Sequence, residues 1–177
     1  PLVMGVLNLT PDSFSDGGQW LDPEPAIARG LAMLHEGADL LDLGAESTRP
    51  GGGVYGAGAQ PVPVDEELRR LLPVLHALRD ATDAPLSVDT RKGAVAQAAL
   101  AAGADLINDI SALGDPTMAP LLAAARCPVV LMHSRGQLAT MQREIHYDDV
   151  VADVRNDLAR ALATAREFGI SPERTIV

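Results

Sequence analysis

Several polar residues stand where apolar runs end. Asn8, Asp89, Asn108, Asp109 and His133 each close such a run, and another run opens onto Gly44-Ala45-Glu46-Ser47-Thr48-Arg49. A carboxylate at the end of a hydrophobic strand, as at Asp89, loses solvent and favours a cationic or hydrogen-bond-donating ring. The alternatives for Asp89 are a salt bridge to Arg91 or Lys92, or a cap for the following helix. The carboxamides of Asn8 and Asn108 supply a hard neutral oxygen suited to Mg²⁺, and an amide also reads the donor and acceptor edges of a heterocycle. Arg49, behind the Thr48 hydroxyl and ahead of a glycine run, offers a fork of donors for phosphate or carboxylate.

Other residues read differently. Asp109 follows Asn108 on the same strand and so points to the opposite face, a structural position. His133 fits a ligand contact or a hydrogen-bonded structural histidine equally well. Arg91 and Lys92 read as surface residues at a helix start, and Cys127 as an inert core thiol. In Asn8-Leu9-Thr10-Pro11-Asp12-Ser13-Phe14-Ser15-Asp16-Gly17-Gly18, turn-forming residues surround an apolar Phe14. A loop that closes on a ligand would cover that ring.

These residues need a frame that brings strand ends together. Apolar runs at Leu2–Asn8, Leu40–Leu43, Leu86–Asp89, Leu106–Asp109 and Val129–Met132, with a further one opening at Thr175, alternate with helical patterns. The helical patterns cover Glu24–Glu36, Asp65–Ala81, Lys92–Ala102, Thr117–Arg126 and Tyr147–Phe168. Continuous apolar strands alternating with helices indicate a parallel sheet covered by helices, with the site at the carboxyl ends of the strands. Glu36-Gly37-Ala38-Asp39-Leu40 and Ala102-Gly103-Ala104-Asp105-Leu106 form an internal echo, each glycine closing a helix. Their spacing fits two βα units.

A (β/α)8 barrel and a doubly wound open sheet both fit the alternation. A barrel takes roughly 250 residues. The 177 residues here supply the first five to six βα units, so the expectation is one domain over residues 1–177, a TIM barrel incomplete at its C-terminus. Lys and Arg total 14 against 24 Asp and Glu, a formal charge of −10, which argues against nucleic-acid binding by bulk electrostatics and against a membrane-surface protein. No apolar run approaches a membrane span. A single Cys excludes a disulfide framework. An aqueous, cytoplasmic protein is expected.

Met4-Gly5-Val6-Leu7-Asn8-Leu9-Thr10-Pro11-Asp12-Ser13-Phe14-Ser15-Asp16-Gly17-Gly18 closely resembles the opening signature of the dihydropteroate synthase family. Gly44-Ala45-Glu46-Ser47-Thr48-Arg49-Pro50-Gly51 resembles its second signature loop, and Ser87-Val88-Asp89-Thr90, Ile107-Asn108-Asp109-Ile110 and Leu131-Met132-His133 follow in the family's order. The resemblance implies a (β/α)8 barrel that condenses 4-aminobenzoate with a dihydropterin-methyl diphosphate in folate synthesis and is inhibited by sulfonamides. It implies Asn8 as a Mg²⁺ ligand, and Asp89 and Asn108 as the pterin-reading pair. Thr48 and Arg49 engage the diphosphate and reaction centre, Phe14 and Pro50 wall the aminobenzoate pocket, and Met132 lines the substrate site. Asp89 and Arg49 are the residues expected to act in catalysis, in a homodimeric full-length protein.

Ala45 stands where the family has glycine, and the second loop is longer and richer in glycine than usual. The family's later Lys and Arg-x-His have no counterpart in these residues, so the chain alone is expected to be inactive. Two other readings share the site: the methyltetrahydrofolate-binding domain of a corrinoid methyltransferase, and a non-catalytic pterin-binding homologue.

Overall fold

The computed structural model describes residues 1–10, 22–47, 61–134 and 146–177. Its strands are β1 (Met4–Asn8), β2 (Leu40–Gly44), β3 (Leu86–Asp89), β4 (Leu106–Asp109), β5 (Val129–Leu131) and β6 (Thr175–Ile176). Between them lie α1 (Pro23–His35), α2 (Val64–Ala81), α3 (Gly93–Ala101), α4 (Met118–Ala125) and α5 (Val150–Glu167). All strands pair in parallel, in the order β1-β2-β3-β4-β5-β6. A doubly wound sheet reverses its strand order part-way along. Here the order never reverses, so the chain is a partial (β/α)8 barrel.

Alternation along each strand assigns the two faces. Leu7, Leu41, Leu43, Leu86, Val88, Ile107, Val129 and Leu131 share one face and are buried with Leu71, Val74, Leu75 and Leu78 of α2 in the main core. The strand register puts Asn8, Asp42, Gly44, Ser87, Asp89 and Asn108 on the other, inner face. The sheet is thus apolar toward its helices and polar toward the barrel axis at the carboxyl ends of its strands. Met132 lies just past β5 and is 38% exposed.

Local chemistry sets the element ends. Asp22 caps α1 by accepting from the Glu24 N–H, with Pro at the first helical position, and Asp149 caps α5 by accepting from Val151 and Ala152. Gly37 and Gly103 follow α1 and α3 at φ of +112° and +99°, the left-handed conformation that favours glycine. The echo also has a role for its acids. Asp39 Oδ2 accepts from the Val3 N–H at 2.6 Å, and Asp105 Oδ2 accepts from the Leu86 N–H at 2.8 Å. Each aspartate thereby ties the start of its own strand to the preceding one. Asp105 also pairs with Arg79 at 2.9 Å.

No helix among the described residues is long and apolar enough to cross a membrane. Leu2, Val3 and Val6 near β1, and Ile176 and Val177 at β6, are exposed apolar residues at the two ends of the sheet. Unpaired strand edges template pairing with other chains. Residues 1–177 expressed alone are therefore expected to self-associate or unfold without cooperativity, as read by size-exclusion chromatography and urea melts. A monodisperse monomer with one sharp transition contradicts this.

Candidate functional site

The inner-face cluster centres on Asp89, the last residue of β3. Its register partners are Gly44 of β2 and Asn108 of β4. A Cβ on Gly44 would sit 3.4 Å from the Asp89 carboxylate, an ordinary van der Waals contact. Asp89 has no hydrogen bond or ion pair with any described residue. Burial, reinforced by the negative charges of Asp42, Glu67, Asp109 and Glu46, pushes its pKa up to about 7.

The cations nearest in sequence are committed elsewhere. Arg91 Nε binds Glu46 Oε2 at 2.8 Å, and Lys92 Nζ binds Glu46 Oε1 at 2.9 Å and also pairs with Glu67. Glu67, 1% exposed, accepts a second bond from the Thr90 hydroxyl at 2.7 Å. Burial raises the Glu46 pKa, but Arg91, the Val62 N–H and Lys92 together hold it below the usual carboxylate range. Arg91 and Lys92 are thus partners of two buried acids, not the surface residues expected from sequence. Neither alternative for Asp89 holds either. The helix-start N–H at Gly93 goes to Asp115 Oδ2 at 2.8 Å.

Glu46 also ties two separate parts of the chain together. It precedes Thr48, Arg49 and Pro50 and accepts from the Val62 N–H at 2.8 Å, so one buried carboxylate holds both ends of the segment between. Thr48, Arg49, Pro50 and Phe14 lie outside the described residues.

Asn108, partly buried, donates from Nδ2 to Asp42 Oδ2 at 2.9 Å. Asp109 is fully buried and accepts from the Ser111 N–H, the Ser111 hydroxyl and the Leu113 N–H, as its structural reading requires. His133 Nε2 lies 2.9 Å from Asp157 Oδ2 on α5, which favours the structural role. Asn8 is exposed at the end of β1, and its carboxamide makes no hydrogen bond to a described residue. The described residues include no cluster of three or more His, Cys, Asp or Glu able to hold a metal ion. One uncommitted carboxamide oxygen fits Mg²⁺, which keeps most of its waters and takes further oxygens from substrate phosphates.

Asp42, Glu46 and Glu67 were not singled out from sequence. Asp42 is an acid inside a leucine strand. Glu67 falls on the helical stripe continued by Leu71, Val74, Leu75 and Leu78. An acid on an apolar stripe is the signal that finds it.

The strand ends of this partial barrel gather a carboxylate unpaired among the described residues and a fixed carboxamide, groups able to hydrogen-bond a heterocycle edge. The chain belongs to the pterin binding enzyme family, whose model matches residues 4–177. It is 42% identical over 176 residues to dihydropteroate synthase of Synechocystis, covering 99% of this chain and 58% of that protein. Dihydropteroate synthase of Xanthomonas albilineans, solved with 4-aminobenzoic acid, superposes at a TM-score of 0.87 and 50% identity, over 99% of this chain and 59% of that one. The Yersinia pestis enzyme in complex with a sulfonamide drug superposes at 0.88 and 42% identity, over 99% and 61%. The chain spans about three-fifths of the length of each.

The raised pKa of Asp89 makes stability depend on pH with a definite sign. Its folded value of about 7 lies above the ordinary 3.8. Between those values the native state holds a proton that the unfolded chain has released, so stability falls as pH rises through the window. Asp89→Asn removes this dependence. The variant is expected to gain on the parent from pH 4 to pH 8 in urea melts, by about 1.4 kcal/mol for each pH unit of displacement at most. Parallel stability curves for the two proteins contradict the assignment.

Proposed function

We propose that the protein is a dihydropteroate synthase. It joins 4-aminobenzoate to (7,8-dihydropterin-6-yl)methyl diphosphate and releases diphosphate and 7,8-dihydropteroate. The observation that carries this reading is Asp89, unpaired among the described residues and placed beside an oriented carboxamide in a family of pterin binding enzymes. The 4-aminobenzoic acid and sulfonamide found in the two superposed synthases support it.

The chemistry follows from charge. The bond between the pterin methylene and the diphosphate oxygen breaks, and its electron pair leaves on the diphosphate. The methylene becomes cationic, with charge spread over the ring. The aniline nitrogen of 4-aminobenzoate then forms the new C–N bond and gives up a proton. A carboxylate held against the ring is worth most when that positive charge develops. Asp89 supplies it. A ring N–H or ring cation replaces the proton that burial and the surrounding acids otherwise retain on Asp89 near neutral pH. Asn108 reads the adjoining ring edge.

Arg49 and Thr48 engage the diphosphate in this proposal, Phe14 and Pro50 wall the aminobenzoate, and Met132, exposed past β5, lines the ring site. Shielding the cation from water prevents its capture as an alcohol. Asn8 would hold Mg²⁺, which when bound offsets the negative charge of the departing diphosphate.

The test is dihydropteroate formation from the two substrates by the intact protein, with a sulfonamide competing against 4-aminobenzoate. Absence of product from both substrates, or transfer of a methyl group from methyltetrahydrofolate instead, contradicts the proposal. Asp89→Asn is expected to lower kcat about 10²-fold while changing KM much less. Lost affinity at unchanged kcat would reduce Asp89 to a binding residue. Asn8→Ala is expected to raise the Mg²⁺ concentration needed to bind the pterin diphosphate, and to leave affinity for a pterin lacking diphosphate unchanged within about twofold, because Asn8 would act through an ion that serves the diphosphate and not the ring.

A further inference from the structure

Asp42 lies on the inner face of β2, one step below Gly44, and is 4% exposed. Its Oδ2 accepts from Asn108 Nδ2, while its Oδ1 is buried without a hydrogen-bond partner among the described residues. Ser87, its register partner on β3, is also fully buried with an unpartnered hydroxyl. Asn108 is thus the donor that Asp42 uses. The pair spans two strands for a geometric reason. In a (β/α)8 barrel each interior layer is filled by alternate strands. Asp42 on β2 and Asn108 on β4 fall in one layer, separated by the same 66 residues as the two echo segments.

A carboxylate only accepts hydrogen bonds, whereas an amide has one accepting and one donating end. Asp42 therefore decides which end of the Asn108 amide faces inward. With Nδ2 spent on Asp42, Oδ1 and the second Nδ2 hydrogen remain for a ligand. We propose that Asp42 is a specificity-determining positioning residue. It locks the Asn108 amide so that an acceptor oxygen stands beside Asp89, and the two together select a ring edge with adjacent N–H donors. The amino group and ring nitrogen of a pterin form such an edge. This inference rests on the pterin reading of the site, and it explains why an acid is kept at a position where it also burdens Asp89 with repulsion.

The test compares binding of pterin with binding of its 2-methyl analogue, in which CH₃ replaces the exocyclic amino donor, by calorimetry on the intact protein. Asp42→Asn leaves a partner that donates as well as accepts, so the Asn108 amide is free to turn. The ratio of the two dissociation constants is expected to fall at least about tenfold, with KM for the pterin substrate raised and kcat changed much less. In an Asn108→Ala background the same substitution is expected to leave the ratio unaltered, because Asp42 acts through that amide. If Asp42→Asn does not fold, Asp42→Ser carries the comparison, since a hydroxyl also donates or accepts. An unchanged ratio, or an equal loss for both ligands, overturns the proposal and leaves Asp42 a structural residue. Failure of the parent protein to bind pterin overturns instead the reading on which it rests.

Discussion

Burial of a lone carboxylate on the inner face of the sheet, reinforced by repulsion from neighbouring acids, governs this site. Burial makes the charged form of Asp89 costly, and four other acids add to that cost. Arg91 and Lys92, close to Asp89 in sequence, are held by Glu46 and Glu67. Among the described residues the acid therefore lacks a cation, and a ligand with positive charge or paired N–H donors would relieve it. Stability is given up where the chemistry requires an unsatisfied group.

The rest of the fold keeps that acid in place without neutralising it. Leucines and valines on the opposite face pack the sheet against α2 and leave the inner face free for polar residues. Glu46 takes up Arg91 and Lys92 and at the same time accepts from the Val62 N–H, so the carboxylate that spares Asp89 its neighbouring cations also joins the end of β2 to the backbone at Val62. Asp109, one residue past Asn108, spends its carboxylate on the turn at Ser111 and Leu113. Neighbouring polar residues on one strand, Asn108 and Asp109, thus have different tasks because alternation sends them to opposite faces.

Much of this is legible in the sequence. Every expected strand and helix is present within a few residues, because fully buried parallel strands are nearly continuous apolar runs and Asp22 and Asp149 cap two of the helices between them. Asp89, Asn108 and Asn8 stand at strand ends as expected. Asp42 was hidden because a lone acid in Leu-Leu-Asp-Leu has no local pattern to mark it. Its meaning appears only once alternate strands share a layer. The surface reading of Arg91 and Lys92 failed because their partners lie 45 and 25 residues away, and sequence spacing carries no trace of such a contact. The echo was legible as a helix end, but the tie made by Asp39 and Asp105 required the neighbouring strand.

Asp89 stands uncompensated among the described residues of the free site. A ¹³C-carboxyl NMR titration of the ligand-free protein, with the Asp89 signal assigned by its loss in Asp89→Asn, tests it directly. A midpoint near 7 is expected. A midpoint near the ordinary aspartate value of about 4 would contradict it, because a cation or a donor would then already occupy the place kept for the ligand.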